Sequence, residues 1–265
     1  MRGLAAIVVA IVGAAAIVAL AWTPHAVDGI DVAGRFGAPS LAHPLGTDHY
    51  GRDLVSMLMA GASTSLGVAA GAILVGVGVG APLGLAAAAS GRFVGGALMR
   101  ASDVVFAFPA LIVAAMLSTF TGPSALNALV AIGLFNVPVF LRLTAATARS
   151  VLTLDFIDAA RLAGKGEARI AAEHVAPLVA PVVVTQASTQ FAVAILAEAG
   201  LSYVGLGAQP PTVSWGRMLA EAQTMMALAP QLAVWPGLAI AVTVLSVTTL
   251  GEAFTRSLDP RLVRG

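Results

Sequence analysis

The stretch from residue 66 to residue 89 reads Leu-Gly-Val-Ala-Ala-Gly-Ala-Ile-Leu-Val-Gly-Val-Gly-Val-Gly-Ala-Pro-Leu-Gly-Leu-Ala-Ala-Ala-Ala and carries no charged side chain. An α-helix rises 1.5 Å per residue, so about 20 such residues cross the hydrocarbon core of a bilayer. The whole chain of 265 residues is 58% hydrophobic and 10% charged, and its mean hydropathy is +0.93. Soluble domains carry roughly 25% charged residues, so the sequence predicts an integral membrane protein.

Neutral intervals between charged residues divide the chain into six apolar segments, which predict an all-α fold with six transmembrane helices. The polar run 61–65 is expected to precede the second helix, and the turn composition of 121–124 is expected to separate the third from the fourth. The six helices are predicted near Leu4–Trp22, Leu66–Ala89, Asp103–Phe120, Ala125–Leu141, Ala180–Val204 and Gln231–Phe254. The second also carries a ridge of Gly76, Gly80 and Gly84, which indicates close packing against an unidentified helix.

The domain organisation follows from these spans. Residues 1–22 are predicted to be a retained anchor helix, with a cleaved signal peptide as the alternative, because the apolar stretch exceeds the roughly 7–15 residues of a signal core. Residues 23–65 are predicted to be an external segment, residues 66–254 a five-helix core and residues 255–265 a cytoplasmic tail. The core includes a cytoplasmic connection at 142–179.

Lys and Arg residues fall unequally on the two sides of the predicted spans. One side receives only Arg35, Arg52 and Arg217. The other side receives Arg2, Arg92, Arg100, Arg142, Arg149, Arg161, Lys165, Arg169, Arg256, Arg261 and Arg264. Because cytoplasmic loops carry an excess of Lys and Arg, both termini are predicted to be cytoplasmic.

Acidic residues at membrane depth are expensive and call for a partner or a function. Glu198 is interpreted as a hydrogen-bonded polar group at a helix interface or near the membrane edge, with a proton or ion site as the alternative. Asp103, three residues after Arg100, is interpreted as an edge ion pair.

No signature of catalysis or metal binding emerges. The chain has no cysteine, no His-Glu-x-x-His and no Gly-x-Ser-x-Gly, which argues against an intramembrane enzyme. The run 43–53 contains two histidines and two aspartates, but their spacing fits no known ligand signature. A phosphate-binding P-loop is also missing, because Gly164-Lys165 is followed by Gly166 and has Ala159 where the first glycine belongs. The sequence therefore predicts no catalytic, cofactor or metal residues, and any nucleotide chemistry must come from another chain.

The connection 142–179 predicts two short helices. Asp155 and Asp158 suit the start of the first helix, and Gly164 suits a left-handed turn at its end. The second helix is predicted at about Glu167–His174, ending before Pro177. On the first helix, an apolar face of small side chains favours docking in a groove of another protein, with a helix lying on the inner leaflet as the alternative. This face comprises Phe156, Ala159, Ala160 and Ala163.

The segment Asp158-Ala159-Ala160-Arg161-Leu162-Ala163-Gly164, followed by His174-Val175-Ala176-Pro177, resembles the EAA loop of permease subunits in bacterial ABC importers. Three further stretches resemble the dipeptide and oligopeptide branch of that family, in its shorter permease type, whose relatives also carry nickel or glutathione. These stretches are 43–53, 195–216 and the ending Leu258-Asp259-Pro260-Arg261. The four motifs occur in the family's order and cover most of the chain from residue 43 onward.

The resemblance implies a type I ABC importer permease fold, in which the EAA loop docks in a cleft of a cytoplasmic ATPase. Carried onto this chain, the residues of the coupling loop are Asp158, Ala159, Ala160, Gly164, His174 and Pro177. Asp158 stands where the family usually has Glu, and Ala176 where Leu usually precedes the proline.

The implied partners are a second homologous permease, two cytoplasmic ATP-binding subunits that hold ATP and Mg²⁺, and an external solute-binding protein, with no nucleic acid. The implied location is the bacterial inner membrane, and the implied activity is ATP-driven import of di- or oligopeptides by alternating access. From the residues alone, the rival interpretation is an ion-coupled secondary transporter or channel that uses Glu198.

Overall fold

The computed structural model describes residues 2–258, with all side chains in that range except those of Arg92 and residues 255–258. A short π-helical segment, Ala171–Val175, follows the α-helix Glu167–Ile170 and leads into the α-helix Ala176–Tyr203. The predicted tail lies outside the described residues from residue 259 onward, and so does most of the ending Leu258-Asp259-Pro260-Arg261. The α-helices are α1 (Arg2–Val18), α2 (Leu54–Ala89), α3 (Arg92–Phe106), α4 (Ala110–Thr121), α5 (Ala125–Leu152), α6 (Asp155–Leu162), α7 (Glu167–Ile170), α8 (Ala176–Tyr203), α9 (Trp215–Gln223) and α10 (Gln231–Leu258).

The prediction of an all-helical membrane protein is confirmed. In the described part of the chain, four helical runs are long and apolar enough to cross a bilayer, namely α2, α5, Glu167–Tyr203 and Gln231–Phe254. The pair α3 and α4 forms a fifth span if its two bent halves are counted together. The apolar helix α1 has 17 residues, which corresponds to a length of about 26 Å.

The glycine ridge of α2 packs inside the molecule, against α5. A Cβ atom on Gly76 would lie 2.6 Å from Cβ of Asn136, and one on Gly84 would lie 2.5 Å from the carbonyl oxygen of Leu141. Because higher residue numbers on α2 meet higher numbers on α5, the two helices run in the same direction. The sequence left the partner of the ridge open, and the structure identifies it as α5.

Helix α2 begins at Leu54, so the predicted break at residues 61–65 is wrong. Small residues in that stretch pack against Trp215, the first residue of α9. A Cβ atom on Gly61 would approach the indole ring to 2.8 Å, and the hydroxyl of Ser65 accepts a hydrogen bond from the backbone N–H of Trp215 at 3.2 Å. Gly61 and Ser65 therefore serve helix packing rather than a break before the helix.

The third predicted helix, Asp103–Phe120, is divided in the structure. Helix α3 ends at Phe106 and α4 starts after Pro109, with a 74° bend between them. Proline has no N–H to continue the helical hydrogen bonds, which explains the break. Helix α5 continues past the predicted end at Leu141 to Leu152.

The charged partner of Asp103 is Arg142 of α5 rather than Arg100, so the predicted partner is corrected. The guanidinium of Arg142 pairs with the Asp103 carboxylate and also donates to the Ser102 hydroxyl at 2.8 Å. Both members of the pair are substantially exposed, at 43% and 63%. These bonds join α3 to α5 close to where α5 leaves the apolar span.

The predicted helix end before Pro177 is also wrong. Helix α7, the π-helical segment and α8 form one helical run from Glu167 to Tyr203. Pro177 is the second residue of α8 and directly follows the π-helical segment, where the Ala176 N–H bonds to the Ala171 carbonyl five residues earlier, so the hydrogen-bond pattern of the run has already changed there. The sequence did not predict α9, whose cap is the Ser214 hydroxyl, which accepts a hydrogen bond from the Arg217 N–H at 3.2 Å.

Candidate functional site

The 153–175 loop follows the end of α5 and is shaped by defined helix ends. Helix α6 places Asp155 and Asp158 in its first turn, as predicted. At its end, Gly164 adopts a left-handed conformation with φ of +81°. Its N–H donates to the Arg161 carbonyl at 2.9 Å, and the Lys165 N–H donates to the Ala160 carbonyl at 3.2 Å. This pair of hydrogen bonds is a Schellman motif, and it fixes the angle between α6 and α7.

One side of the loop is buried against the bundle. Ile157 and Ile170 are fully buried, Val175 is 1% exposed and Ala160 is 9% exposed. Burying one large aliphatic side chain stabilises a fold by about 1.5–3 kcal/mol, so these residues hold α6 against α7, while the π-helical segment packs on α5 and α8.

The opposite side of α6 is open. Ala159 and Ala163 are exposed, and two larger apolar side chains stand beside them, Phe156 at 44% and Leu162 at 91% exposure. The carboxylate of Asp158 is 72% exposed at the rim of this surface. We call this surface, formed by Phe156, Ala159, Leu162 and Ala163, the outer face of α6.

Ion pairs hold the polar rim of the loop in place. Arg161 donates to Asp158 at 2.8 Å and to Glu167 at 2.7 Å, which connects α6 to α7. The hydrogen bonds to Glu167 and Asp158 raise the pKa of Arg161, and desolvation opposes them. Glu173 accepts from Lys165 at 2.7 Å and from Arg169 at 2.5 Å.

His174 lies at the back of the outer face. Its Nε2 atom accepts a hydrogen bond from Lys165 Nζ at 2.9 Å, and its ring meets the Phe156 ring edge-on with 6.2 Å between centroids. The histidine thus links the π-helical segment to α6. In this geometry it is a positioning residue within the loop.

The structure brings most of the predicted loop residues together but divides them between two sides. Asp158, Ala159 and Gly164 are exposed, whereas Ala160 faces the bundle, so the predicted apolar face is really two faces. Sequence reasoning missed Ile157, the main anchor of the inner side. Its spacing of three residues before Ala160 is the signal that could have identified it.

Glu198 and Asp103 lie apart from this loop. The side chain of Glu198 is fully buried in α8, and its Oε1 atom accepts a hydrogen bond from the Ser202 hydroxyl at 2.6 Å. Ser202 in turn accepts from the Ala208 N–H at 3.0 Å, while Glu198 Oε2 has no hydrogen-bond partner among the described residues. The carboxyl group therefore helps to fix the turn after α8.

The left-handed turn at Gly164 gives a first prediction. A β-branched residue in this conformation is strained by about 1–2 kcal/mol, so we expect Gly164→Val to loosen the loop. Gly166 is a matched control, because its φ is −73° and a Cβ atom there meets nothing within 4 Å. The measurement is amide hydrogen exchange at residues 164–170 in the purified protein. Equal exchange in Gly164→Val and Gly166→Val would contradict the assigned turn.

The fold is that of an ABC importer's membrane subunit. A chain of the inward-facing MetNI methionine ABC transporter aligns with a TM-score of 0.65 at 15% sequence identity. The alignment covers 77% of this chain and 96% of that one. A second crystal form of the same transporter aligns with a TM-score of 0.60. At this identity the likeness shows the fold alone, a type I importer permease.

Sequence comparison gives the family. Residues 80–264 match the model of the binding-protein-dependent transport system inner membrane component, and the chain belongs to this family of ABC importer permeases. GsiD, a glutathione transport system permease of Pectobacterium atrosepticum, is 38% identical over 84% of this chain and 74% of its own length. The dipeptide permease DppC of Alkalihalophilus pseudofirmus is 36% identical, over 86% and 75%. The nickel permease NikC of Escherichia coli is 33% identical, over 98% and 94%.

Membership of this family identifies the kind of complex to which the chain belongs. An ABC importer permease is a membrane transport subunit that functions with ATPase subunits and a binding protein. The family thus confirms the class of protein that the resemblance implied.

Proposed function

We propose that this chain is one half of the translocation unit of an ATP-driven importer for di- or oligopeptides, and that the outer face of α6 docks in its ATPase. The second half is a homologous permease, and each permease engages one of two ATP-binding subunits. An external solute-binding protein delivers the peptide. The names of the relatives, which include peptide, glutathione and nickel permeases, favour a small soluble cargo, and peptides recur among them.

The observation that carries this proposal is the two-sided build of α6. A helix that is anchored through Ile157 yet exposes Phe156 and Leu162 on its other side leaves apolar area unburied at a rigid position. A membrane-surface helix would present the same Phe and Leu side chains to lipid, so the case for docking rests on the alanines that lie between them. Two small alanines at the centre of the outer face allow close approach by a groove in another protein.

The chain itself has no catalytic role in this scheme. It lacks a P-loop, so ATP and Mg²⁺ are held by the partner ATPase subunits. Its own task is mechanical, since the closure of the ATPase dimer reaches the spans through Ile157, Ile170 and Val175. The loop must contact the two ATPase states differently, because only a difference in affinity can shift the equilibrium between inward-open and outward-open forms.

The proposed orientation places the 153–175 loop and both termini in the cytoplasm of a bacterial cell. The basic residues of the loop support this orientation: Arg161, Lys165 and Arg169 lie in it, and cytoplasmic segments of inner-membrane proteins usually carry an excess of Lys and Arg. The opposite end of the bundle, where α2 starts and α9 lies, would then face the binding protein.

The energy source is the sharpest test of the function, and it gives a second prediction. In proteoliposomes containing the complete complex, we expect uptake of a labelled dipeptide to require internal ATP and to persist after a protonophore collapses the proton gradient. Glu198→Gln keeps the hydrogen bond from Ser202 and should retain uptake within about twofold, a change worth less than about 0.5 kcal/mol.

The same assay addresses the rival interpretation. An ion-coupled transporter would lose uptake in the Glu198→Gln variant and on addition of the protonophore, with ATP still present. Either loss would overturn the ATP-driven proposal. Uptake of glutathione and of Ni²⁺ can be measured in the same assay, each with its own binding protein. These measurements test the identity of the solute independently of the energy source.

A further inference from the structure

A cluster of metal-ligating side chains lies at the start of α2, at the end of the bundle opposite the 153–175 loop. Asp53 is the N-cap of α2 and its side chain is fully buried, whereas His25 and His43 are 41% and 31% exposed. Their candidate ligand atoms all lie within 4.8 Å of one another. The three residues come from well-separated positions in the chain, so the fold has brought them together.

The arrangement of the histidines exceeds what the helix cap requires. His43 Nδ1 donates to Asp53 Oδ1 at 3.0 Å, which satisfies that oxygen. His25 Nδ1 points at Asp53 Oδ2 from 3.7 Å, a distance too long for a hydrogen bond. The two imidazole rings lie side by side, with 4.5 Å between centroids. Two nitrogen donors thus converge on one carboxylate, and the second makes no hydrogen bond to it.

The spacing fits a single metal ion. At a metal–ligand distance of about 2.1 Å, ligand atoms separated by 90–110° stand about 3.0–3.5 Å apart. The two nitrogen–oxygen distances, 3.0 Å from His43 to Oδ1 and 3.7 Å from His25 to Oδ2 of Asp53, lie close to that range. Binding of one shared ion requires His43 Nδ1 to release its proton and the exposed side chain of His25 to rotate toward the ion. Two imidazoles and one carboxylate, with the solvent side open for water, form a donor set typical of Zn²⁺ and neighbouring first-row divalent ions.

The surroundings also prepare Asp53 for this role. Its Oδ2 atom accepts hydrogen bonds from the Ser56 N–H at 2.8 Å and from the Ser56 hydroxyl at 2.7 Å, and the same hydroxyl accepts from the His25 N–H at 2.9 Å. Such support orients a ligand.

We propose that His25, His43 and Asp53 bind one divalent transition-metal ion, with Zn²⁺ as the best match. The ion fastens the segment after α1 and the 43–53 stretch to the start of α2. From the sequence, residues 43–53 were not predicted to bind a metal, because only the ligand spacing within that stretch was considered. His25 lies outside the stretch and supplies the additional ligand. The inference concerns the chain by itself and does not depend on the transported solute.

The test is equilibrium Zn²⁺ binding to the full chain in detergent, purified without a polyhistidine tag, in competition with a chromogenic chelator. We expect one Zn²⁺ per chain, no competition from Mg²⁺, and a rise in the unfolding temperature on addition of Zn²⁺. Loss of an outer-shell partner alone weakens metal binding by about 10–100-fold. His25→Ala should therefore weaken it by at least about tenfold, and the His25→Ala/His43→Ala double variant should abolish both binding and the thermal shift.

His49→Ala is the matched control. His49 belongs to the same segment but stacks on Tyr50, with 4.0 Å between ring centroids, and is not part of the cluster. This variant should bind Zn²⁺ like the unmodified chain. The absence of stoichiometric binding, an unchanged affinity in the double variant, or competition by equimolar Mg²⁺ would each overturn the proposal.

Discussion

Gly84→Ala should destabilise the folded protein by about 2–3 kcal/mol, the upper part of the range for overpacking a tight interface. The added Cβ atom would lie 2.5 Å from the Leu141 carbonyl oxygen and 2.7 Å from Cβ of Thr144. Leu141 O is a backbone atom in the middle of α5 and cannot turn away, so the two helices must separate. In lipid there is little hydrophobic attraction between helices, so close packing is a main source of their association. Separation of α2 from α5 would remove that packing.

The control lies on the same helix. Gly78 is exposed, and a Cβ atom on it meets nothing within 4 Å, so Gly78→Ala should be neutral or stabilising by up to about 1 kcal/mol. The measurement is thermal unfolding of the purified chain in detergent, together with the yield of inserted protein. Equal unfolding temperatures for the two variants would show that α2 and α5 are not packed as described.

The glycine ridge also shows how far the sequence could predict this fold. Charge-free intervals located the spans, because the bilayer imposes a length that any helix must meet. Gly76, Gly80 and Gly84 indicated a close contact but not its partner, since that depends on which helix lies opposite. The run 61–65 was predicted to be a break before the helix for the same reason, because its role depends on Trp215, 150 residues away from Ser65. Gly61 makes room for the indole ring, and Ser65 accepts a hydrogen bond from the Trp215 backbone N–H.

The effect of each proline on its helix was harder to predict from the sequence. Pro109 separates two helices at 74°, whereas Pro177 begins α8 without ending the helical run before it. Both prolines stand at the start of an α-helix, and the difference lies in what precedes them: the π-helical segment leads directly into α8, whereas α3 has already ended at Phe106, before Pro109. In the loop, Gly164 was predictable because its turn is local. The division between Ala159 and Ala160 was not, because it depends on where the bundle lies.

Ala159→Trp should abolish coupled transport while leaving the protein folded and inserted. Ala159 lies on the outer face of α6 and is exposed, so an indole there disturbs no internal packing, but it would hold α6 out of a groove shaped for a methyl group. Coupling free energies of 1–3 kcal/mol correspond to about 5–150-fold. We therefore expect ATP-dependent uptake by the reconstituted complex to fall by at least about tenfold, while ATP hydrolysis becomes independent of the binding protein.

Two variants separate docking from folding. Ala159→Ser adds a single oxygen atom and should retain most of the uptake. Ala160→Trp, one residue away but 9% exposed against the bundle, should instead lower the unfolding temperature and the yield of inserted protein, as overpacking does. The docking role requires this contrast, because both alanines belong to the same short motif and only one faces outward. Normal uptake by Ala159→Trp, or equal instability of the two tryptophan variants, would place the ATPase contact somewhere other than the outer face of α6.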